Sequence, residues 1–371
     1  MNVLVVNAGS SSLKLALLDD DDDEPLLRTS LAAPQGRIDE EALVSELRRA
    51  DAVDAVGHRI VHGGTELVAP VVVDEQVEQR LRALVDLAPL HQPKSLHALE
   101  LVRRALPDVP HVACFDTAFH AGIPAAAATY ALPSEWRRRW ELRRFGFHGL
   151  SHAYVSRRAA ELAGAAPEAL RIVSCHLGAG ASLAAVSGGA SVDTTMGFTP
   201  LEGIVMATRS GSVDPGLILW LEEHAGMPSS ELAATLENRS GLLGLTGSAD
   251  MRTILAAERD GDGDAALAVG VYLHRLRAAV AAMTAAMDGL DAIVFTGGVG
   301  EGSAEIRVRA AEGLGFLGVS VDPARNASAE LDADIGAAGA GVRAFVVRSR
   351  EDLEIARGVR RVLRHRERGR A

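Results

Sequence analysis

Two stretches of the chain share one pattern: VLVVNAGSSSLKLALL at residues 3–18 and RIVSCHLGAGASLAAV at residues 171–186. In each, an apolar run meets a glycine-containing turn and continues as a second apolar run, which predicts a β hairpin. Aligning Gly9 with Gly178 places Asn7 opposite His176, so a polar residue stands at the strand end in both copies. The repeat indicates an internal duplication. The predicted strands are Val3–Val6, Leu13–Leu18, Arg171–Cys175 and Ser182–Val186.

Outside the two hairpins, helices with recognisable ends alternate with further strands. A third strand, Ala292–Thr296, runs into GGVGEG at residues 297–302, which predicts another glycine-rich turn. Helices are predicted at Leu96–Leu106 with Ser95 as cap, from Ser151 to Leu162, from Asp214 and Pro215 to Gly226, and at Asp264–Met287. This order of elements, repeated once, predicts an α/β chain with two sheet-based halves.

The bulk composition limits the classes of protein that the chain can belong to. Its 371 residues predict two or three domains, and a net charge of −11 argues against a nucleic-acid partner. No uninterrupted apolar run approaches the roughly 20 residues of a membrane span, and the first residues lack the basic region of a signal peptide. Only two cysteines occur, both in apolar runs, which indicates buried thiols in a cytoplasmic protein.

Three glycine-rich turns at strand ends suggest phosphate binding, because backbone N–H groups there can approach phosphate oxygens without a Cβ in the way. No Walker sequence occurs, and a strand rather than a helix follows Gly180, which excludes a Rossmann fingerprint. Any one of these turns could be a plain hairpin turn. Three of the same design favour a nucleotide held between two domains. Lys14 and Lys94 are the only lysines among 38 basic residues, and Lys14 directly follows such a turn.

A few charged residues stand where phosphate chemistry would need them. Arg59 and Arg209 are flanked by small residues that leave a guanidinium unobstructed, although each could equally form a structural salt bridge. Asp116 follows the apolar run His111–Phe115, where an acid is costly without a partner. Glu351 opens the last predicted helix, and the alternative role for it is compensation of the helix dipole.

Eight of the chain's fourteen aromatic residues lie between Phe115 and Tyr154. This crowding predicts either part of a hydrophobic core or the wall of a pocket. Asp116, His120 and His148 occur within the same segment, which favours a functional pocket over a purely apolar core.

Several segments resemble the signature sequences of the acetate kinase family. They are NAGSSSLK at 7–14, GHRIVHGG at 57–64, LAPLH at 87–91, FDTAFH at 115–120, FGFHG at 145–149, MGFTPLEG at 196–203 and FTGGVGE at 295–301. The resemblance runs in order along almost the whole chain. It implies an α/β fold of two duplicated ribonuclease H-like (actin-like ATPase) domains around a nucleotide cleft. The implied domains are 1–117 plus 352–371, and 118–351.

The resemblance also implies a reaction, namely reversible phosphoryl transfer from ATP to acetate, giving acetyl phosphate and ADP. It implies Mg²⁺ as the metal, with Mn²⁺ as an alternative, and a cytoplasmic homodimer with neither nucleic-acid nor membrane partners. Propionate kinase is an alternative, because one methylene of substrate length depends on pocket volume. A weakened nucleotide-binding paralogue that acts as a sensor or scaffold is the other.

Residue roles follow from the matched motifs. The resemblance implies that Asn7 and Glu351 hold the metal ion, that Asp116, His148 and Arg209 are catalytic, and that Arg59 binds the carboxylate or acyl phosphate. Asp116 is better interpreted as an orienting or metal-linked carboxylate than as a general base, because a substrate carboxylate is already an anionic nucleophile. Val61, Leu90, Phe147 and Pro200 would surround the substrate's methyl group. The implied nucleotide contacts are Lys14, His176, Leu177, Gly178, Ala179, Gly180, Asp250, Met251, Arg252, Gly298, Val299, Gly300, Glu301 and Gly302.

The chain departs from the family's usual pattern at three positions. Ala179 and Gly302 each stand where the family has asparagine, and Arg350 replaces an asparagine before Glu351. These differences affect expected nucleotide contacts and leave the phosphoryl-stabilising residues in place. Ala179 is the reason for retaining the sensor or scaffold alternative.

Overall fold

A computed structural model describes residues 1–9, 12–20, 24–33, 37–50, 52–88 and 92–368, apart from the side chain of Glu367. The first elements in chain order are β1 (Val3–Ala8), β2 (Ser12–Leu18), β3 (Leu27–Ala32), α1 (Glu40–Arg49), β4 (Ala55–Ile60), β5 (Val71–Val72), α2 (Glu75–Ala83), α3 (Gln92–Ala105), β6 (His111–Phe115), α4 (Ala125–Ala128), α5 (Ser134–Arg139) and α6 (Gly149–Ala163). There follow β7 (Arg171–Leu177), β8 (Ala181–Ser187), β9 (Ala190–Thr194), α7 (Pro215–Ala225), α8 (Ser229–Asn238), α9 (Gly241–Thr246), α10 (Met251–Arg259), α11 (Gly263–Ala286), β10 (Ala292–Thr296), α12 (Gly297–Gly302), α13 (Ala304–Glu312), α14 (Pro323–Ser328), β11 (Ala333–Asp334), β12 (Arg343–Val346) and α15 (Glu351–Arg368).

The chain forms two compact units. Unit 1 comprises Met1–Ala121, Phe147–Tyr154 and Arg350–Ala371, and unit 2 comprises Gly122–Gly146 and Val155–Ser349. Each unit has one six-stranded mixed sheet. The domain boundaries implied by the family resemblance stay a prediction.

Unit 1 is built on a sheet of strand order β3-β2-β1-β4-β6-β5. The pairs β1–β4 and β4–β6 are parallel, and the remaining neighbours are antiparallel. Successive residues of a strand point to opposite faces, so Leu4 and Val6 pack with α1 and α3, whereas Val3 and Val5 pack with α15. The sheet therefore lies between helices on both faces, which buries its parallel strands.

Unit 2 repeats this plan. Its sheet has the order β9-β8-β7-β10-β12-β11, with β7–β10 and β10–β12 parallel and the remaining neighbours antiparallel. Strand for strand, the order and directions match those of unit 1. Three residues separate β1 from β2 and three separate β7 from β8, so the alignment of Gly9 with Gly178 holds in the structure. The predicted duplication is confirmed.

Helix α11 is a core helix of unit 2 with an apolar composition. It packs against α9, α10, α13 and strand β8, and buries Tyr272, Leu276 and Val280. By length and composition alone it could cross a membrane, which is weak evidence because core helices of soluble proteins meet the same criterion. Its N-cap is Asp262, whose side chain accepts the N–H of Ala265.

Several local predictions hold and others do not. Asp214 caps α7, with Pro215 in its first turn and Gly226 in the left-handed conformation at its end, as predicted. The predictions of Ser95 and Ser151 as helix caps are wrong, because α3 begins at Gln92 and α6 at Gly149, and both serines are buried inside their helices. The predicted turn at residues 297–302 is instead the short helix α12.

Candidate active site

In unit 1, three of the candidate residues lie at the ends of neighbouring parallel strands. Asn7 is near the end of β1, Arg59 is near the end of β4, and Asp116 directly follows β6. The carboxyl ends of parallel strands meet at one edge of a sheet, which is where α/β proteins bind ligands. Glu351, from the far end of the chain, begins α15 and joins them.

These four side chains form one hydrogen-bonded cluster. Arg59 Nε donates to Asp116 Oδ1 at 2.9 Å and its second nitrogen, NH2, donates to Oδ2 at 2.5 Å, a bidentate arrangement. Arg59 NH1 also donates to Asn7 Oδ1 at 3.2 Å, and Asn7 Nδ2 donates to Glu351 Oε2 at 2.8 Å. The Glu351 carboxylate lies 3.8 Å from Arg59 Nε. The structure thus brings together Asn7, Arg59, Asp116 and Glu351 in unit 1.

Burial governs the electrostatics of this cluster. Asp116 is 1% exposed, and burial raises the pKa of its carboxyl, an effect that Arg59 opposes without cancelling. Burial lowers the pKa of Arg59, but the carboxylates of Asp116 and Glu351 outweigh that effect and keep the pKa above that of a free guanidinium. Arg59 is therefore a permanent cation, and both oxygens of Asp116 are engaged in holding it.

The donor set of this cluster fits a divalent cation. Two carboxylates and one guanidinium leave excess negative charge, and the amide oxygen of Asn7, which accepts a hydrogen bond from Arg59, has a second lone pair. Across the described residues no group of three or more His, Cys, Asp or Glu side chains is suited to enclosing a metal ion. Mg²⁺ suits such an open site, because it keeps several waters and binds one or two protein oxygens together with substrate phosphates.

His148 directly precedes α6 and has a φ of +55°, in the left-handed region. Val61 and Phe147, also in unit 1, are both buried, and the Phe147 ring lies edge-on to the ring of His62 with centroids 5.5 Å apart. Leu90, the third predicted pocket residue, lies outside the described residues. The methyl pocket stays a prediction.

Gln92, which the sequence analysis did not single out, holds the main chain beside Val61. Its side-chain oxygen accepts the N–H of His62 at 3.1 Å, and its nitrogen donates to the carbonyl of the same residue at 3.1 Å. His62 Nδ1 accepts the N–H of Gly64 at 2.8 Å. The signal in the sequence was a glutamine directly after the LAPLH motif. A single sequence does not show which residue that glutamine contacts.

In unit 2, Arg209 lies in the loop between β9 and α7. It donates from NH1 to the carbonyl of Pro200 at 2.9 Å, which links a predicted catalytic residue to a predicted pocket residue. Burial lowers the pKa of Arg209, and Glu237 offsets only part of this shift. Gly241, with a φ of +61°, allows the close approach of its backbone to the loop, since a Cβ there would lie 2.3 Å from the carbonyl oxygen of Met206.

A second polar network, also missed from the sequence, supports the loop that carries Pro200. Tyr130 Oη donates to Glu202 Oε2 at 2.6 Å and accepts the N–H of Phe198 at 2.8 Å. Arg144 donates to Glu202 Oε1 at 2.7 Å and to the carbonyls of two residues before the loop. Glu202 is part of the MGFTPLEG motif. Its partner Tyr130 lies about seventy residues earlier in the chain, so the motif alone did not reveal this contact.

Most of the predicted nucleotide residues of unit 2 lie in two segments, the end of β7 with the turn that follows it and the short helix α12. His176 and Leu177 end β7, Gly178 donates to the Gly180 carbonyl at 3.0 Å, and Ala179 is exposed. Glu301, in α12, accepts hydrogen bonds at one oxygen from Thr296 Oγ1, the N–H of Gly297 and the N–H of Ser349. The glycine segments of unit 2 are therefore fixed by interactions within their own unit.

Arg307 holds the end of α12 through hydrogen bonds to its main chain. It is buried, and its NH1 donates to the carbonyls of Gly300 and Glu301, both at 2.8 Å. The same guanidinium donates to Asn326 Oδ1 at 2.6 Å. Arg307 thus satisfies carbonyl groups at the end of a short glycine helix.

The remaining predicted nucleotide contacts are more open. Asp250 caps α10 and forms an ion pair with Arg252 at 2.7 Å, and both side chains are exposed, whereas Met251 is buried. Gly298 and Gly302 are exposed, and a Cβ at either position would meet no atom within 4 Å. Lys14 is exposed on β2, in register with Asn7.

Arg350, which stands where the family has asparagine, has its own carboxylate partner. It donates from Nε to both oxygens of Asp352 at 2.9 and 3.1 Å.

The duplicated sheets, with polar residues at the ends of their parallel strands, define an α/β protein of the actin-like ATPase class with two domains. A family model described as the Acetokinase family matches residues 37–357. The chain belongs to the acetokinase family. The family implies ATP and ADP as co-substrates and a divalent metal ion, and the class of enzyme is an ATP-dependent phosphotransferase.

Curated relatives support the same assignment. An acetate kinase of Synechococcus sp. (strain JA-2-3B'a(2-13)) is 42% identical over 98% of this chain and 99% of its own length. An acetate kinase of Leifsonia xyli subsp. xyli (strain CTCB07) is 45% identical over 96% and 97%. These relatives support acetate kinase function.

Solved structures extend the comparison to the fold. The acetate kinase of Porphyromonas gingivalis has a TM-score of 0.88 and 34% identity, with 98% of this chain and 99% of that chain covered. A propionate kinase from Francisella tularensis subsp. tularensis SCHU S4 has a TM-score of 0.89 and 33% identity, with 96% and 98% covered. Both confirm the predicted fold class.

Proposed function

We propose that this chain catalyses reversible, Mg²⁺-dependent phosphoryl transfer between ATP and acetate, giving acetyl phosphate and ADP. The observation that carries the proposal is the Arg59–Asp116 ion pair, hydrogen-bonded through Asn7 to Glu351 at the carboxyl edge of the sheet of unit 1. The fixed guanidinium of Arg59 suits an anionic substrate. The excess negative charge of the carboxylates beside it suits the metal ion that accompanies a phosphate.

The reaction needs positioning and charge stabilisation more than proton transfer. The acetate carboxylate is the nucleophile and is already ionised at neutral pH, so its attack on the γ-phosphate requires no strong base. Arg59 binds this carboxylate or the acyl phosphate. Asp116 orients Arg59, because both of its oxygens accept hydrogen bonds from that guanidinium.

Asn7 and Glu351 hold the metal ion in this proposal. When bound, Mg²⁺ neutralises phosphate charge during transfer. Asn7 donates from its amide nitrogen to the Glu351 carboxylate at 2.8 Å, so the two side chains are adjacent. The open donor set supports Mg²⁺, with Mn²⁺ as an alternative.

His148 and Arg209 are proposed to stabilise the charge that spreads over the transferring phosphoryl oxygens. Arg209 is an apt donor because its guanidinium is held by the Pro200 carbonyl and because arginine keeps its charge in proteins. The nucleotide is proposed to contact Lys14, the backbone of residues 176–180, Asp250, Met251, Arg252 and residues 298–302. Ala179 supplies no side-chain amide to a phosphate in this arrangement.

Acetate is proposed as the preferred acid, and propionate kinase activity is the second candidate because a solved propionate kinase has nearly the same fold. Val61 and Phe147 are buried and bulky, which supports a small pocket. One methylene in an apolar pocket is worth about 1–3 kcal/mol. Acetate and propionate should therefore both react, with butyrate a much poorer substrate.

Trapping the product as a hydroxamate tests the proposed function. The full-length chain is incubated with ATP, hydroxylamine and acetate, propionate or butyrate, with and without Mg²⁺. We expect metal-dependent hydroxamate with acetate and a kcat/KM that decreases with acid length. A preference for propionate or butyrate would reassign the substrate, and no hydroxamate with any acid would favour a sensor or scaffold.

We also propose that the chain forms a homodimer through α7 in unit 2. This helix has no buried residue, and its Leu219 and Trp220 are 58% and 53% exposed, beside exposed Leu217. Contiguous exposed apolar side chains are typical of interfaces, and homodimer interfaces are more apolar than transient ones. A second copy is the proposed occupant.

Sedimentation tests this interface with a matched pair of variants. Leu219→Glu should convert the dimer to a monomer at micromolar concentration. Leu267→Glu alters an equally exposed leucine on α11 of the same unit and should leave the dimer intact. A monomeric wild type, or dimers of both variants, would contradict the proposal.

We also propose a cytoplasmic location, which the free, buried Cys114 and Cys175 support.

A further inference from the structure

Two short segments of unit 1 run side by side next to the proposed catalytic residues. The first, residues 116–120, begins with Asp116 and forms a 3₁₀ turn that ends at His120. The second, residues 147–149, contains His148 and leads into α6. Two hydrogen bonds join these segments, one on each side of His148.

The backbone of His148 is in an unfavourable conformation. Its φ of +55° lies in the left-handed region, which is uncommon for residues other than glycine. Its carbonyl nevertheless accepts the N–H of His152 at 2.9 Å, the first hydrogen bond of α6. Such a conformation persists only where surrounding contacts impose it, and strained residues of this kind cluster at functional sites.

The hydrogen bond on the carboxyl side of His148 comes from Gly149. Its N–H donates to the carbonyl of Asp116 at 2.8 Å. A Cβ at position 149 would lie 2.2 Å from that oxygen, so only glycine permits this approach. The backbone that follows His148 is therefore tied to the residue that orients Arg59.

The hydrogen bond on the amino side comes from the imidazole of His120. Its Nε2 lies 3.1 Å from the carbonyl oxygen of Phe147, and because a carbonyl can only accept, Nε2 carries the hydrogen. The ring is fully buried and packs edge-on against the rings of Phe119 and His152. Burial lowers the pKa of His120 to about 4, so the imidazole is neutral at physiological pH and keeps this fixed tautomer.

We propose that His120 is a positioning residue for His148: its Nε2–H holds the Phe147 carbonyl and so helps to impose the left-handed backbone that aims the His148 imidazole. The proposal rests on the proposed function, in which His148 stabilises the transferring phosphoryl group. His120 itself need not touch the substrate. Together with Gly149 it forms a two-point clamp that fixes His148 relative to Asp116.

Three variants separate the hydrogen bond from simple packing. His120→Phe keeps a buried ring but removes the donor, and His120→Gln keeps an N–H near the position of Nε2. His97→Phe changes an exposed histidine on α3 and serves as a control. If His120→Phe does not fold, as judged by its thermal transition, His120→Leu replaces it.

In the acetyl phosphate assay, His120→Phe should lower kcat about 10- to 100-fold, the loss expected from misplacing a catalytic group. The KM values for ATP and acetate should change less than about twofold, and His120→Gln should recover most of the loss. In a His148→Ala background, His120→Phe should have no further effect on single-turnover rate. Equal losses for Phe and Gln, or an undiminished loss in the His148→Ala background, would overturn the positioning role.

A second measurement does not depend on activity. In histidine-selective ¹⁵N NMR spectra, the His148 imidazole resonances are assigned by their disappearance in His148→Ala. They should shift in His120→Phe and return towards wild-type positions in His120→Gln, with His97→Phe unchanged. If wild type makes no acetyl phosphate, the proposed function fails, yet an unmoved His148 resonance in His120→Phe would still overturn the clamp on its own.

Discussion

The carboxylate of Asp116 accepts two side-by-side hydrogen bonds from the guanidinium of Arg59, Nε to Oδ1 at 2.9 Å and NH2 to Oδ2 at 2.5 Å. This geometry engages both oxygens of Asp116, and it fixes the direction of the Arg59 guanidinium. In the proposed function the pair therefore acts as one anion-binding unit and not as a base with a neighbouring cation.

Asp116→Asn should impair acetate use more than ATP use. The amide keeps one acceptor but places N–H groups against a partly buried guanidinium, and breaking such a pair costs on the order of 2–5 kcal/mol. We expect kcat/KM for acetate to fall at least about 30-fold, with the KM for ATP changed little. Steady-state kinetics of the folded variant measures both, and Asp108→Asn, at an exposed site in unit 1, is the control. A larger effect on ATP than on acetate would contradict this role.

Arg209→Ala should lower kcat by about 100- to 1,000-fold, the usual loss when a charge-stabilising donor at a transition state is removed. Because Arg209 NH1 also donates to the Pro200 carbonyl at 2.9 Å, the companion variant Arg209→Lys keeps the charge while losing the fork of donors. It should be less impaired than alanine. Retention of more than a tenth of wild-type turnover by folded Arg209→Ala would refute the assigned role.

Val61→Ala should shift acid preference toward propionate and butyrate while the KM for ATP stays nearly constant. The side chain is buried beside His62, whose main chain Gln92 holds with two hydrogen bonds, so the wall of the proposed pocket is held in place and trimming it should leave space. Since one methylene is worth about 1–3 kcal/mol, the ratio of kcat/KM values should move by about tenfold. Parallel assays with the three acids measure it, and an unchanged ratio would mean that Val61 does not line the pocket.

Acid should destabilise unit 1 through His62. Burial lowers the pKa of its imidazole from 6.5 to about 4, so on acidification the unfolded chain binds a proton before the folded one does. The stability contributed by this residue is complete above pH 6.5 and is lost as the pH falls to about 4, by about 1.4 kcal/mol per pH unit. A proton on Nδ1 would also remove the acceptor for the N–H of Gly64.

His62→Asn isolates this contribution, because its side-chain oxygen can accept the same hydrogen bond without titrating. Thermal transitions measured from pH 7 to pH 4.5 should show a shallower decrease for His62→Asn than for wild type. His97→Asn, at an exposed site on α3, should follow wild type. Parallel curves for all three proteins would show that His62 is not the titrating group.

The strand pattern of this fold is readable from one sequence because it is local. The hairpins at residues 3–18 and 171–186 carry their apolar runs and glycine turns in contiguous sequence, and both form as predicted. Helix ends were less readable, since Ser95 and Ser151 are typical caps by residue type yet lie inside helices that start earlier. Tertiary packing, which buries both serines, decided those boundaries.

Motifs identified the candidate residues, but the contacts among them needed the fold. Asn7, Arg59, Asp116 and Glu351 are spread along nearly the whole chain and meet because parallel strand ends share one edge of the sheet. Gln92, Tyr130 and Glu202 escaped notice, because each acts on main-chain or side-chain groups distant in sequence. No single-sequence pattern encodes such pairings.

Direct observation of the reverse reaction tests the central claim most directly. Acetyl phosphate, ADP and Mg²⁺ are incubated with the full-length chain and followed by ³¹P NMR, with Glu351→Gln as the variant that alters a proposed metal ligand. The proposed function predicts that acetyl phosphate and ADP disappear at equal rates as ATP forms, and that Glu351→Gln is much slower. Formation of orthophosphate without ATP, or no metal-dependent change in any resonance, would contradict it.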